Sequence, residues 1–97
     1  MNDIRKTVST LVELVNQLPN AHRTIDKAGL YAAIRLLTDD IRNADDSEVN
    51  GYAKEKAHKL QWHAAAALGF DIDNGHSAEQ HRSWALGEVG TLESVVE

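Results

Sequence analysis

Apolar positions along this chain recur at intervals of three and four residues. Ile4, Val8, Leu11, Val12, Val15 and Leu18 fall on one stripe, the pattern of an amphipathic helix with a single buried face. The spacing predicts a first helix from about Asp3 to Leu18, ended by Pro19-Asn20. Proline lacks the N–H the helical ladder needs and disfavours helix in the residue before it. Leu30, Ile34, Leu37, Ile41 and Ala44 repeat at 4-3-4-3 spacing, which predicts a second helix over Ile25 to Ala44 with Thr24 as its N-cap. Leu36 and Ala32 lie off that stripe, so this helix is expected to be buried on more than one side. "DDSE", Asp45 to Glu48, reads as an Asp-x-x-Glu variant of the capping box. It predicts a third helix running to about Leu68, with Gly69 as its C′ residue. Its stripe is Val49, Ala53, Leu60, Ala64 and Ala67, flanked by Tyr52 and His63. "SAEQ", Ser77 to Gln80, caps a fourth helix. Gly87 and Gly90 weaken that helix by about 1 kcal/mol each relative to alanine, and it either continues or breaks near Gly87–Thr91. The expectation is an all-α fold, a three- or four-helix bundle with short connections, formed by residues 1–97 as a single helical domain.

Composition narrows the setting. The chain has no cysteine, hence no disulfide framework and no thiolate chemistry. No apolar run approaches the ~20 residues of a membrane span, and the N-terminal pattern is amphipathic rather than the unbroken apolar block of a signal peptide. A cytoplasmic location without membrane attachment is expected. The net charge is −5, unevenly placed. Residues 1–70 carry nine acids and nine Lys/Arg, whereas residues 71–97 carry Asp71, Asp73, Glu79, Glu88, Glu93 and Glu97 against Arg82 alone. A nucleic-acid binder needs a cationic surface, so direct nucleic-acid binding is not expected. An acidic end suits a basic protein partner.

The stretch "FDIDNGHSAEQH", residues 70–81, has the composition of a metal loop. An EF-hand needs glycine at position 6 and glutamate at position 12. Counted from Asp71 these are His76 and Arg82, so the register fails and a turn at Asn74-Gly75 followed by a Ser77 cap explains the stretch. His58 and His63 are five apart and diverge by about 140° on a helix. Glu55 and His58 form one Glu-x-x-His half of a di-iron motif, but "EQHR" puts arginine where the second half needs histidine. No nucleophile elbow and no phosphate-binding loop occurs. The expectation is a non-enzyme with no catalytic residue, no metal ligand and no cofactor.

Two features ask for a surface instead. Trp62 lies about 160° around the third helix from Leu60, beside Glu55, His58, Ala65 and Ala66, and an exposed tryptophan among small residues is the composition of an interaction hot spot. Ser83, Gly87, Gly90 and Ser94 recur at 4-3-4 spacing, a seam along which another backbone can approach closely. The expected partner-binding residues are Trp62, Glu55, His58, Ala66, Asp71, Asp73, Glu88 and Glu93. The expected self-association residues are Ser83, Gly87, Gly90 and Ser94, in a homodimer with twofold symmetry.

In size and charge the chain resembles the class of small acidic helical inhibitors, such as bacteriocin immunity proteins and phage-encoded defence inhibitors. The resemblance is one of composition and implies an inhibitor, immunity or regulatory protein directed at a nuclease or a nucleic-acid-binding complex. The length and acidity are also similar to small secreted WXG-type proteins, but His63-Ala64 follows Trp62 and Ala85-Leu86 follows Trp84 where that family has x-Gly. Two alternatives stand beside the protein-binding reading. One is a helical oligomer holding a nucleotide-like ligand between subunits with Tyr31, Arg35, His58 or Lys59. The other is a small metalloprotein or enzyme built on Glu55, His58 and His63.

Overall fold

The computed structural model describes residues 4–71 and 75–96. Four helices form: α1 (Ile4–Asn16), α2 (Thr24–Arg42), α3 (Gly51–Ala67) and α4 (Ala78–Val95), with one turn of 3-10 helix, Leu18–Asn20, between the first two. No strand occurs among the described residues. Each helix packs on the next, and α4 closes back onto α1. Connections this short make neighbours antiparallel, so the last turn of α3 stands beside the first turn of α4. No helix among the described residues is long and apolar enough to cross a membrane.

The predicted stripes of the first three helices build most of the core, and α4 adds a face of its own. Val8, Leu11 and Val15 of α1, Ile34 and Ile41 of α2, Ala53, Ala57, Leu60 and Ala64 of α3, and Ala85, Val89 and Leu92 of α4 are buried. The face of α3 is mostly alanine, which leaves little side chain between it and its neighbours. α3 and α4 share the most extensive contact in the bundle. Thr38, fully buried on α2, donates its hydroxyl to the Ile34 carbonyl at 2.9 Å, which satisfies the polar group within its own helix.

The helix ends differ from expectation in instructive ways. Asp45–Glu48 does not open α3. The Glu48 and Val49 N–H groups donate to the Asp45 carbonyl at 2.9 and 3.0 Å, closing an isolated turn that buries Val49. α3 starts at Gly51, and Asn50 is its cap, with Oδ1 accepting from the Ala53 N–H at 2.8 Å. Lys54 reaches back to Asp46 at 2.7 Å, and that hydrogen bond and charge hold the Asp46 carboxyl below its ordinary pKa. Thr24 is the first residue of α2 rather than its cap, because Arg23 already accepts the first helical bond from the Lys27 N–H. α1 ends at Asn16, and Leu18 is buried from the 3-10 turn. Leu36 is 65% exposed and Ala32 is exposed, so α2 is buried on one side only, where α1 and α3 flank it. Asp3, the expected start of α1, lies outside the described residues, as do Asp73 and Asn74.

Two signals hold as read. Gly69, at φ 86°, ends α3. Its N–H donates to the Ala66 carbonyl and the Phe70 N–H to the Ala65 carbonyl, the paired bonds of a Schellman motif. Ser77 caps α4 by accepting from the Gln80 N–H at 3.1 Å. α4 then runs unbroken through Gly87 and Gly90.

Candidate functional site

His81, Ala85, Val89 and Leu92 form the inward stripe of α4 at 4-4-3 spacing, so a histidine occupies the core face in its first turn. It is 1% exposed. His63 lies between Leu60 and Ala64 on the buried side of α3 and is 9% exposed. Antiparallel packing of the two helices sets His63 Nδ1 and His81 Nδ1 3.0 Å apart. At that distance one ring donates its proton and the other accepts it.

Aromatic rings enclose the pair. The Trp62 ring lies 4.7 Å from His63 and 5.1 Å from His81, centroid to centroid. Trp84 stands 5.3 Å from each. His76, in the connection before α4, meets the Trp84 ring at 4.8 Å and the His81 ring at 5.9 Å. Both tryptophans of the chain therefore sit on this histidine cluster. Trp62 keeps 42% of its surface exposed, so half of the indole is fixed against imidazoles and half faces solvent.

Two clefts meet at Trp62. The larger, about 480 Å³, opens between α3 and α4 and is lined by Lys59, Trp62, His63, His76, Trp84 and Glu88. The smaller, about 270 Å³, opens between α2 and α3, with Tyr31, Arg35, Arg42, His58, Trp62 and Asp71 among its lining residues. On the wall of the larger cleft, Lys56 Nζ approaches Glu88 Oε2 at 3.3 Å. The two charges pair directly there. Partial burial works to lower the Lys56 pKa. The Glu88 carboxylate, with smaller help from Tyr52 and Glu55, outweighs it and holds the ammonium above its ordinary 10.5. In the smaller cleft Arg35 and Arg42 share Asp39 at 3.9 and 3.5 Å, and Arg42 also donates to Gln61 at 3.0 Å.

The structure gathers part of the expected partner-binding set. Trp62 and Glu88 line the larger cleft, and Trp62, His58 and Asp71 the smaller one. Glu55 is exposed on the same helix, paired with Lys59 at 3.4 Å. Ala66 is only 8% exposed, so its expected place on an open face is corrected: it belongs to the covered last turn of α3, where Ala65 is buried with it. Glu93 is exposed on α4 but lines neither cleft. Asp73 lies outside the described residues. Ser83, Gly87, Gly90 and Ser94 are all exposed along α4, and a Cβ added at Gly87 or Gly90 would meet nothing within 4 Å. Glu55, His58 and His63 do not converge, since the first two are exposed and the third is buried. Among the described residues no three His, Cys, Asp or Glu side chains stand as a metal-ligand group. The spacing of histidines along the chain did not reveal the His63–His81 pair. The usable signal was the stripe of α4 itself, which carries His81 at a core position.

No family model matches this sequence, and comparison with curated proteins and with solved structures returns no match.

Proposed function

We propose that this protein acts by binding a basic protein partner through the Trp62 face of α3, as an inhibitor, immunity or regulatory protein rather than as an enzyme. The observation that carries the reading is the half-exposed Trp62 on the ridge between two clefts. A rigid indole with concave surface on either side matches the anatomy of an interface hot spot, an aromatic anchor bordered by pockets for the partner's side chains. Its inner half is already held by His63 and His81, so little rotamer entropy is lost on binding. The acidic excess of residues 71–97 sets the partner's sign, because complementary charge speeds encounter and excludes wrong partners. Nucleases and nucleic-acid-binding complexes present such basic surfaces. The reading places the complex in the cytoplasm and includes a homodimer through the open α4 seam.

Affinity capture from an extract of the source organism tests this. The expected result is one basic protein retained at low salt, released as salt rises, and lost with Trp62→Ala. Equal retention by Trp62→Ala refutes the assignment of the face.

A second reading rests on the smaller cleft, where Tyr31, Arg35 and His58 do come together while Lys59 lines the other. A planar anionic ligand of nucleotide type fits that chemistry. A nucleotide-dependent rise in Tm that disappears with Arg35→Ala favours it, since a ligand of the native state must stabilise that state.

A further inference from the structure

We infer that the outer face of α2 is the seat of a second copy of this chain, packed antiparallel about a twofold axis. Ile25, Gly29, Ala32 and Leu36 recur at 4-3-4 spacing and fall within about 60° of one another on the helix. That line runs opposite Ile34 and Thr38, which α2 turns into the core. Ile25 is 66% and Leu36 65% exposed, and Gly29 and Ala32 between them are exposed as well. A single exposed leucine is ordinary. Two large apolar side chains joined by an uncharged line form a patch that asks for cover. The sequence pattern expects burial on this second side of α2, and the chain's own helices do not supply it.

The pattern itself fits a second copy. From Ile25 to Leu36 the face reads alike from either end: a large residue, then Ala28-Gly29, then Ala32-Ala33, then a large residue. A twofold contact uses one patch twice and needs such self-complementarity. In the antiparallel arrangement Ile25 of each copy meets Leu36 of the other, and Gly29 meets Ala32 at the crossing. Small residues there let the helix axes approach to the short end of the usual ~8–10 Å range. A Cβ added at Gly29 meets nothing within 4 Å in the monomer, so the space beside it is free for another helix. Charge agrees on the occupant and on its direction. Asp26, Asp39 and Asp40 balance Lys27, Arg35 and Arg42 on α2, so two copies meet here without the repulsion that the acidic 71–97 segment imposes. Antiparallel packing sets Asp39 and Asp40 of one copy beside the start of α2 in the other, where Arg23 and the helix dipole are positive. Parallel packing would bring the acidic ends together. α2 and α4 each pack on both α1 and α3, so they stand diagonally across the bundle and this contact is separate from the α4 seam.

Three turns of helix make a contact below the standard interface size, so a dimer Kd of about 10 µM to 1 mM is expected. Sedimentation of the untagged full chain across that range reads it. The chain carrying Gly87→Leu and Gly90→Leu, in which the α4 seam is blocked, keeps the α2 contact and is the background for the further substitutions. There, Ile25→Glu and Leu36→Glu each weaken association at least tenfold and leave the far-UV spectrum helical, because both side chains are exposed. Gly29→Leu weakens association as much while raising the Tm of the dilute monomer, a combination that a merely structural role does not produce. Disulfide trapping reads the direction, since the chain has no cysteine of its own. Ile25→Cys and Leu36→Cys chains, mixed under mild oxidation, are expected to give the mixed dimer in excess over either homodimer, and Ser47→Cys gives neither above background. A blocked-seam chain that stays monomeric up to 1 mM, or whose association is undiminished by both glutamate substitutions, overturns the α2 contact. An excess of Ile25→Cys homodimer over the mixed dimer overturns the antiparallel arrangement.

Discussion

Trp62 owes its position to a phase relation and its rigidity to two histidines. It stands two residues from Leu60 on a 100° helix, which turns it away from the core stripe, and that much is legible in the sequence. Its contact with the His81 ring is not legible, because it joins residues nineteen positions apart across a helix pair. Truncation separates the two roles. Trp62→Ala is expected to cost only about 1 kcal/mol of monomer stability, against about 2–5 kcal/mol for Leu60→Ala in the fully buried core. Chemical denaturation of both variants checks this. Lys56 offers a second residue-scale test. Its pKa is raised in the folded state above 10.5, so the stability its charge contributes is complete below that ordinary value and fades as pH rises through the folded one. Lys56→Gln should therefore melt below the wild type near neutral pH, and the gap should close as the solution is made strongly alkaline.

At the scale of the element, local signals succeed where the deciding group is adjacent in sequence. Ser77 and Gly69 act within a few residues, and both end their helices as read. Asp45–Glu48 has an equally good local motif, yet burial of Val49 and the better-placed Asn50 move the start of α3 downstream. Loss of that cap in Asn50→Ala is expected to cost about 1 kcal/mol, read as a lower Tm, while Asp45→Ala changes little. α4 raises the opposite question. Gly87 and Gly90 lie inside a continuous helix with open space where a Cβ would stand, so alanine at each should stabilise the monomer by about 0.5–1 kcal/mol. Glycines that weaken an exposed helix and touch nothing in their own chain suit close approach by another copy. Leucine at both positions should then reduce self-association even as the helix itself becomes more stable.

For the whole molecule, the first three helices and most of their core faces are readable because helical periodicity and burial coincide, whereas the core face of α4 and its continuity through Gly87 and Gly90 emerge only in the packed bundle. The site was readable only in part, because an α3–α4 seam carrying two histidines and two tryptophans is a property of packing. Charge governs the remaining behaviour. Two acidic 71–97 segments repel in a homodimer, and salt screens that repulsion over ~8 Å at physiological strength. Self-association followed by sedimentation should therefore tighten as salt rises, whereas binding to a basic partner should weaken. The opposite salt dependences tell the two surfaces apart.

The most direct test of the central claim is a calorimetric titration of the captured partner into the wild-type chain and into Trp62→Ala, with both chains first shown to be equally helical. If Trp62 is the anchor, its loss removes at least ~2 kcal/mol of binding, which is a weakening of about thirtyfold or more. A partner that binds both chains with the same affinity would contradict the account.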